Sequence, residues 1–171
     1  MSLDVVFLPR RSLGWLWLAG IGVLIIGLSA LMLLAVPPGE EGRAAVVVTF
    51  AFTAALGLPF LVLAVWFPTM RYELGPETLT LRYGPVLTYR IALSEIEIIR
   101  RRNLSVSLWS SLRFPGIALF SVPYTDVGTV KMCATAAADR ILLLETVGEK
   151  YGVTPADEEA FVAALQARMG V

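Results

Sequence analysis

"MRYELGPETLTLRYGPVLTYRIAL", residues 70–93, is where the hydrophobic pattern of the chain changes period. Upstream the sequence is almost continuously apolar. From Met70 onward, Met70, Tyr72 and Leu74 alternate with Arg71 and Glu73, then Leu79, Leu81 and Tyr83 alternate with Thr80 and Arg82. Leu87, Tyr89, Ile91 and Leu93 share a third apolar face. A period of two predicts half-buried strands. Gly75-Pro76 and Gly84-Pro85 separate them with tight turns, because proline presets one backbone angle and glycine supplies conformational freedom.

Downstream, "EIEIIR" at 95–100 sets Ile96 and Ile98 against Glu95 and Glu97, and further strands are expected over 117–122, 129–134, 140–146 and around Tyr151. Seven or eight short strands at this spacing predict a small antiparallel β-barrel or sandwich. One helix follows, in "GVTPADEEAFVAAL" at 152–165. Thr154 reads as its N-cap, Pro155 as its first residue and Asp157 as a capping-box acid. Phe161, Leu165 and Met169, with Val162 beside them, form one apolar stripe. Such a helix needs a surface to cover, and the open end of a barrel supplies one, giving an α+β domain over 70–171.

Upstream lie two apolar intervals. No charged residue occurs between Arg11 and Glu40 or between Arg43 and Arg71. Residues 13–36 would form a helix about 36 Å long, enough for a hydrocarbon core of about 30 Å with some tilt. Residues 44–67 repeat the pattern, and the link "PPGEEGR" at 37–43 is short, proline-led and charged. A transmembrane α-hairpin is therefore expected. Gly57 and Pro59 in its second arm mark a site for a kink. Gly20 and Gly27 on one helix, with Ala51 and Ala55 on the other, are the expected points of close approach within the hairpin. Arg10, Arg11, Arg71 and Arg82 flank its open end and the loop holds only Arg43, so residues 1–12 and 70–171 are expected in the cytoplasm, with 37–43 outside. "RRSLGWLWL" begins like a twin-arginine export signal, but the apolar run is too long for one and leads into a second span.

Composition agrees with a bilayer. Of 171 residues, 57% are hydrophobic and only 16% charged, against nearer half and a quarter in soluble domains. Basic and acidic residues number 14 each, and the balance persists beyond Arg71, so no concentrated basic surface favours nucleic acid. Histidine is absent and Cys133 is the sole cysteine. That leaves no internal disulfide and no usual zinc constellation, and the thiol reads as a small buried hydrophobe.

No phosphate-cradling loop, nucleophile elbow or metal motif is found, so neither catalytic residues nor a cofactor are expected. Glu95 and Glu97 would share a strand face and read as solvated. Arg100, Arg101 and Arg102 form the densest charge. On a strand they alternate faces, so at most two could hold one lipid phosphate or partner carboxylate. Trp109 and Arg113, in "NLSVSLWSSLRFPG", join them as candidates for lipid or partner contact, since aromatic residues beside cations suit a membrane interface. Core packing explains Trp109 equally well.

Strands followed by one C-terminal helix, behind a membrane hairpin, resemble the bacterial PH-domain (pleckstrin-homology-like) membrane proteins. "RYELGPETLTLRYGPVLTYRIALSEIEII", "FPGIALFSVPYTDVGTVKMCATAAADRILLLET" and "YGVTPADEEAFVAAL" carry the resemblance. In that family another glycine often follows the one matching Gly116, and "IALFSV" lacks it, so the strand there is expected to be built differently. The resemblance implies a membrane-anchored, non-catalytic PH-like module at the cytoplasmic membrane, touching lipids or another membrane protein. An accessory subunit of a larger membrane complex is the alternative, and a homo-oligomer is compatible with either. The sequence leaves open whether residues 5–8 add a strand to the domain.

Overall fold

A computed structural model describes residues 4–105 and 113–170. The chain forms two compact units, one made of Met1–Gly14 with Phe67–Val171 and the other of Trp15–Trp66.

The second unit is a helical hairpin of α1 (Gly14–Ala35) and α2 (Arg43–Trp66), and α2 runs unbroken through Pro59. The helices meet where side chains are missing: a Cβ on Gly22 would lie 2.6 Å from Leu61 Cδ2, and one on Gly57 would lie 2.8 Å from Ile26 Cγ1. The expected contact points are different. Nothing lies within 4 Å of a Cβ on Gly20 or Gly27, and Ala51 and Ala55 are exposed. Helix phase explains the correction, because Gly22 and Ile26, four apart, share the stripe that faces Gly57 and Leu61. Arg43 closes the loop, donating to the carbonyl of Leu33 at 2.7 Å and to that of Val36. It thereby satisfies carbonyls that the end of α1 leaves free.

In the first unit, β2 (Arg71–Leu74), β3 (Thr78–Tyr83) and β4 (Leu87–Ala92) form an antiparallel meander. β1 (Val5–Phe7) adds to its edge, pairing with β2 so that Phe7 lies opposite Tyr72. The remaining strands are β5 (Ile96–Arg102), β6 (Arg113–Phe114), β7 (Ile117–Tyr124), β8 (Gly128–Ala134), β9 (Ile141–Thr146) and β10 (Lys150–Val153). They form a second sheet in the order β5-β9-β10-β8-β7-β6.

The expected small antiparallel β-barrel or sandwich holds in part, with two corrections. Among the described residues the strands form two separate sheets, and β10 runs parallel to β8. The turn after β9, held by Thr146 N–H donating to Glu149 O at 2.9 Å, folds β10 back into the gap between β9 and β8. A strand antiparallel to β9 there must run with β8.

At β9 the six-stranded sheet is covered on both faces, and this explains "ILLL", where Ile141 to Leu144 are all buried without alternation. Ile141 and Leu143 join Ala118, Val122, Val130 and Met132 in one cluster. Tyr72 ties the two sheets: its buried hydroxyl donates to the Cys133 carbonyl at 2.8 Å and accepts from the Thr154 N–H at 3.1 Å. Burial pushes its phenol well above the usual tyrosine range. Cys133 is fully buried, as expected of a small hydrophobe, and burial pushes its thiol up to about 12.

"EIEIIR" needs a second correction. A bulge interrupts pairing between Ile96 and Ile98, so Ile96 is buried and Ile98 is 41% exposed. Glu95 ends a 3-10 turn rather than sharing a strand face with Glu97. In β7 the backbone of Phe120 is left-handed, with φ 64°, a conformation that favours glycine. The strain lies just beyond Gly116, in the strand where the resembling family often carries a second glycine and this chain has none.

The helix α3 (Glu158–Met169) buries Phe161 and Leu165 completely, and the Phe161 ring meets Phe7 edge-on at 5.2 Å and Tyr72 at 6.0 Å. Its N-cap is Asp157, whose carboxylate accepts from Ala160 N–H at 2.9 Å, in place of the expected Thr154. Thr154 still belongs to the extended chain. Its hydroxyl is buried, accepts from Thr135 N–H at 2.8 Å and lies 2.9 Å from the Thr135 hydroxyl. Pro155 bridges to Pro9.

That bridge belongs to a strap. Ala156 N–H donates to Leu8 O and Arg10 N–H to Thr154 O, while the Ser12 hydroxyl donates to Gly116 O. Gly14 packs so closely that a Cβ would come within 2.2 Å of that same oxygen. Residues 5–14 are thus built into the β unit, and the two helices are an insertion between its paired strands β1 and β2.

Candidate functional site

The three consecutive arginines of β5 point to different partners. Arg100 pairs with Glu145 on β9, with Nε 3.0 Å from the carboxylate. Arg101 crosses to the first residue of α3, its Nε donating to Glu158 at 2.6 Å. That hydrogen bond and the attached charge raise the Arg101 pKa further. Arg102 is exposed and makes no ion pair among the described residues. Two of the three are thus spent within the fold. Trp109 lies outside the described residues. Arg113 sits half-buried on β6, close enough to Tyr124 to oppose the burial that pushes its phenol up to about 12.

The structure instead assembles a cleft of mixed charge from distant residues. Arg10 from the strap, Arg101 from β5 and Arg140 from the turn before β9 border a concavity of about 340 Å³ with Asp157, Glu158 and Glu159. Arg10 Nη2 donates to the Arg140 carbonyl at 2.5 Å. The Arg140 backbone is left-handed, φ 51°, and its N–H donates to Asn103 Oδ1 at 2.9 Å. In the sequence Arg10 read only as half of a pair with Arg11 flanking the first apolar run, and Arg140 as a lone arginine in its own segment. Only the strap, which the strand pattern left undecided, brings residue 10 beside residue 140.

Elsewhere, the Lys131 ammonium lies 5.8 Å from the Tyr89 ring centre and 5.7 Å from that of Tyr151, and it pairs with Glu149. The ammonium and the Tyr151 hydroxyl both hold the Glu149 carboxyl below its usual pKa. Tyr151 lies directly opposite Lys131 in the β10–β8 register, so this is a cross-strand cluster already filled by its own cation. Another surface groove, about 560 Å³, runs beside Leu93, Ile96 and Met169. Its cation, Arg168, donates to the Leu74 carbonyl.

Two sheets closed by a C-terminal helix, with two long apolar helices inserted near the N-terminus, define a PH-like module carrying a helical hairpin. Residues 70–169 match the bacterial PH domain, and the chain belongs to that family. No curated protein and no solved structure matches it. The matched span begins after β1, so the strap lies outside it.

Proposed function

We propose that the two apolar helices cross the cytoplasmic membrane and hold the PH-like domain at its cytoplasmic face, where it makes lipid-headgroup or protein contacts and catalyses no reaction. The observation that carries this reading is the pairing of β1 with β2 around the inserted hairpin. Both ends of the hairpin leave from one β unit and so share one side of any membrane it crosses. Arg10, Arg11, Arg71 and Arg82 lie at those ends, and positive charge near a span favours the cytoplasmic side. The helices, of 22 and 24 residues, would be about 33 and 36 Å long, and their surfaces are largely exposed apolar side chains. Purification of the full chain from native membranes in mild detergent tests the reading. It expects a defined partner or retained phospholipid, reduced in an Arg102→Ala/Arg140→Ala variant. Retention of neither contradicts it.

One observation favours the second reading, an accessory subunit of a larger membrane complex. The small residues Gly20, Gly27, Ala51 and Ala55 are not used within the hairpin and leave surfaces where other helices can approach closely. On that reading, Gly20→Leu/Gly27→Leu releases the partner and the arginine variant keeps it.

A further inference from the structure

We infer that the cleft bordered by Arg10, Arg140 and Glu159 binds an aminoalkyl phosphate, the group a zwitterionic phospholipid headgroup presents. This rests on the reading of the domain as a lipid-contacting module, and it names the ligand class and the residues. The argument starts from which charges in the cleft are already committed. Asp157 caps α3, and Glu158 is held by Arg101 at 2.6 Å. Arg10 uses one of its five N–H donors on the Arg140 carbonyl. The Arg140 guanidinium is exposed and unpaired among the described residues, and Glu159 makes no ion pair there.

The groups left open are therefore two guanidinium forks, the Glu159 carboxylate and the second oxygen of Asp157, around a single cavity of about 340 Å³. A plain anion would meet Glu159 as well as the arginines, and a plain cation would meet the arginines. A phosphate joined to an ammonium satisfies both: its oxygens take charge-assisted, bidentate bonds from Arg10 and Arg140, and its ammonium pairs with Glu159. Arg10 also lies four residues before Gly14, the first residue of α1. The extended chain between them spans at most about 14 Å, within reach of the headgroup layer if α1 enters a bilayer there.

The test uses the full-length protein in detergent, with O-phosphoethanolamine and inorganic phosphate as soluble probes. The wild type is expected to bind O-phosphoethanolamine about tenfold more tightly than phosphate. Arg140→Ala weakens both by about tenfold or more, whereas Glu159→Gln brings their ratio near one and leaves phosphate bound. The source is read in nanodiscs. Phosphatidylethanolamine displacing the soluble probe, with phosphatidylglycerol, which lacks the ammonium, failing to do so, identifies a lipid headgroup, and equal probe binding in both identifies a free aminophosphate. Absence of saturable binding, or an Arg140→Ala variant that binds like wild type, overturns the assignment. Partner or phospholipid retention unchanged alongside such a failure would leave the broader membrane-contact reading standing.

Discussion

Tyr72 shows how much one side chain can hold. It was legible as a buried strand residue, but its hydrogen bonds to Cys133 O and Thr154 N–H join segments 61 and 82 residues away, which no local pattern encodes. Tyr72→Phe removes hydrogen bonds from two buried backbone groups and should cost about 1–3 kcal/mol, read as a lower melting temperature. Thr154 makes the same point against a sequence motif. The cap signature was real, but Asp157 fills that role, because Thr154 is needed three residues earlier to satisfy Thr135. Thr154→Ala should therefore cost about 1–3 kcal/mol through an orphaned buried N–H, and Asp157→Ala about 1 kcal/mol through the lost cap. Thermal melts of the two variants check this, and a harmless Thr154→Ala would contradict the assignment. Cys133 adds a pH dependence. Its thiol is raised from 9.0 to about 12, so between these values the unfolded chain has released a proton that the folded chain keeps. The associated stability is complete below pH 9 and is lost as pH rises toward 12. Denaturant melts at pH 8 and 10 should show a smaller alkaline loss for Cys133→Ala than for wild type.

Among elements, the strands of residues 70–93 were readable because each has one buried face and so keeps strict alternation. β5 was misread where its bulge adds a residue, since a bulge inverts the faces of everything beyond it. β1 was undecided because three residues, "VVF", carry too little period to distinguish a strand from a tail. The strap makes a direct prediction. A chain truncated to the family-matched span loses β1 and the hydrogen bonds to Leu8 and Arg10, and it exposes Phe161. It should melt well below a chain in which residues 1–12 are joined by a short linker to residue 68. In the hairpin, helix length and apolarity were plain, but which glycines meet depends on the rotation of two helices with few polar landmarks. Gly22→Leu should drive a side chain into Leu61 and cost about 1–3 kcal/mol, whereas Gly20→Leu meets open space. Protease cleavage of the loop at 37–42 in detergent, faster for Gly22→Leu alone, would report the difference.

At the scale of the whole molecule, fold class was legible because it follows from counting strands, a terminal helix and two apolar runs. The candidate cleft was not, since its arginines belong to segments 10, 101 and 140, which only the completed topology brings together. The same topology makes the account testable. Because β1 and β2 pair across the inserted hairpin, the proposed membrane crossing puts residues before α1 and after α2 on one side and the loop on the other. The most direct measurement is labelling by a membrane-impermeant maleimide on intact spheroplasts in a Cys133→Ala background, comparing Glu40→Cys in the loop with Val147→Cys, which is 81% exposed on the β unit. The account predicts labelling of Glu40→Cys in intact cells and of Val147→Cys only after lysis. Equal labelling of both positions before lysis would contradict it.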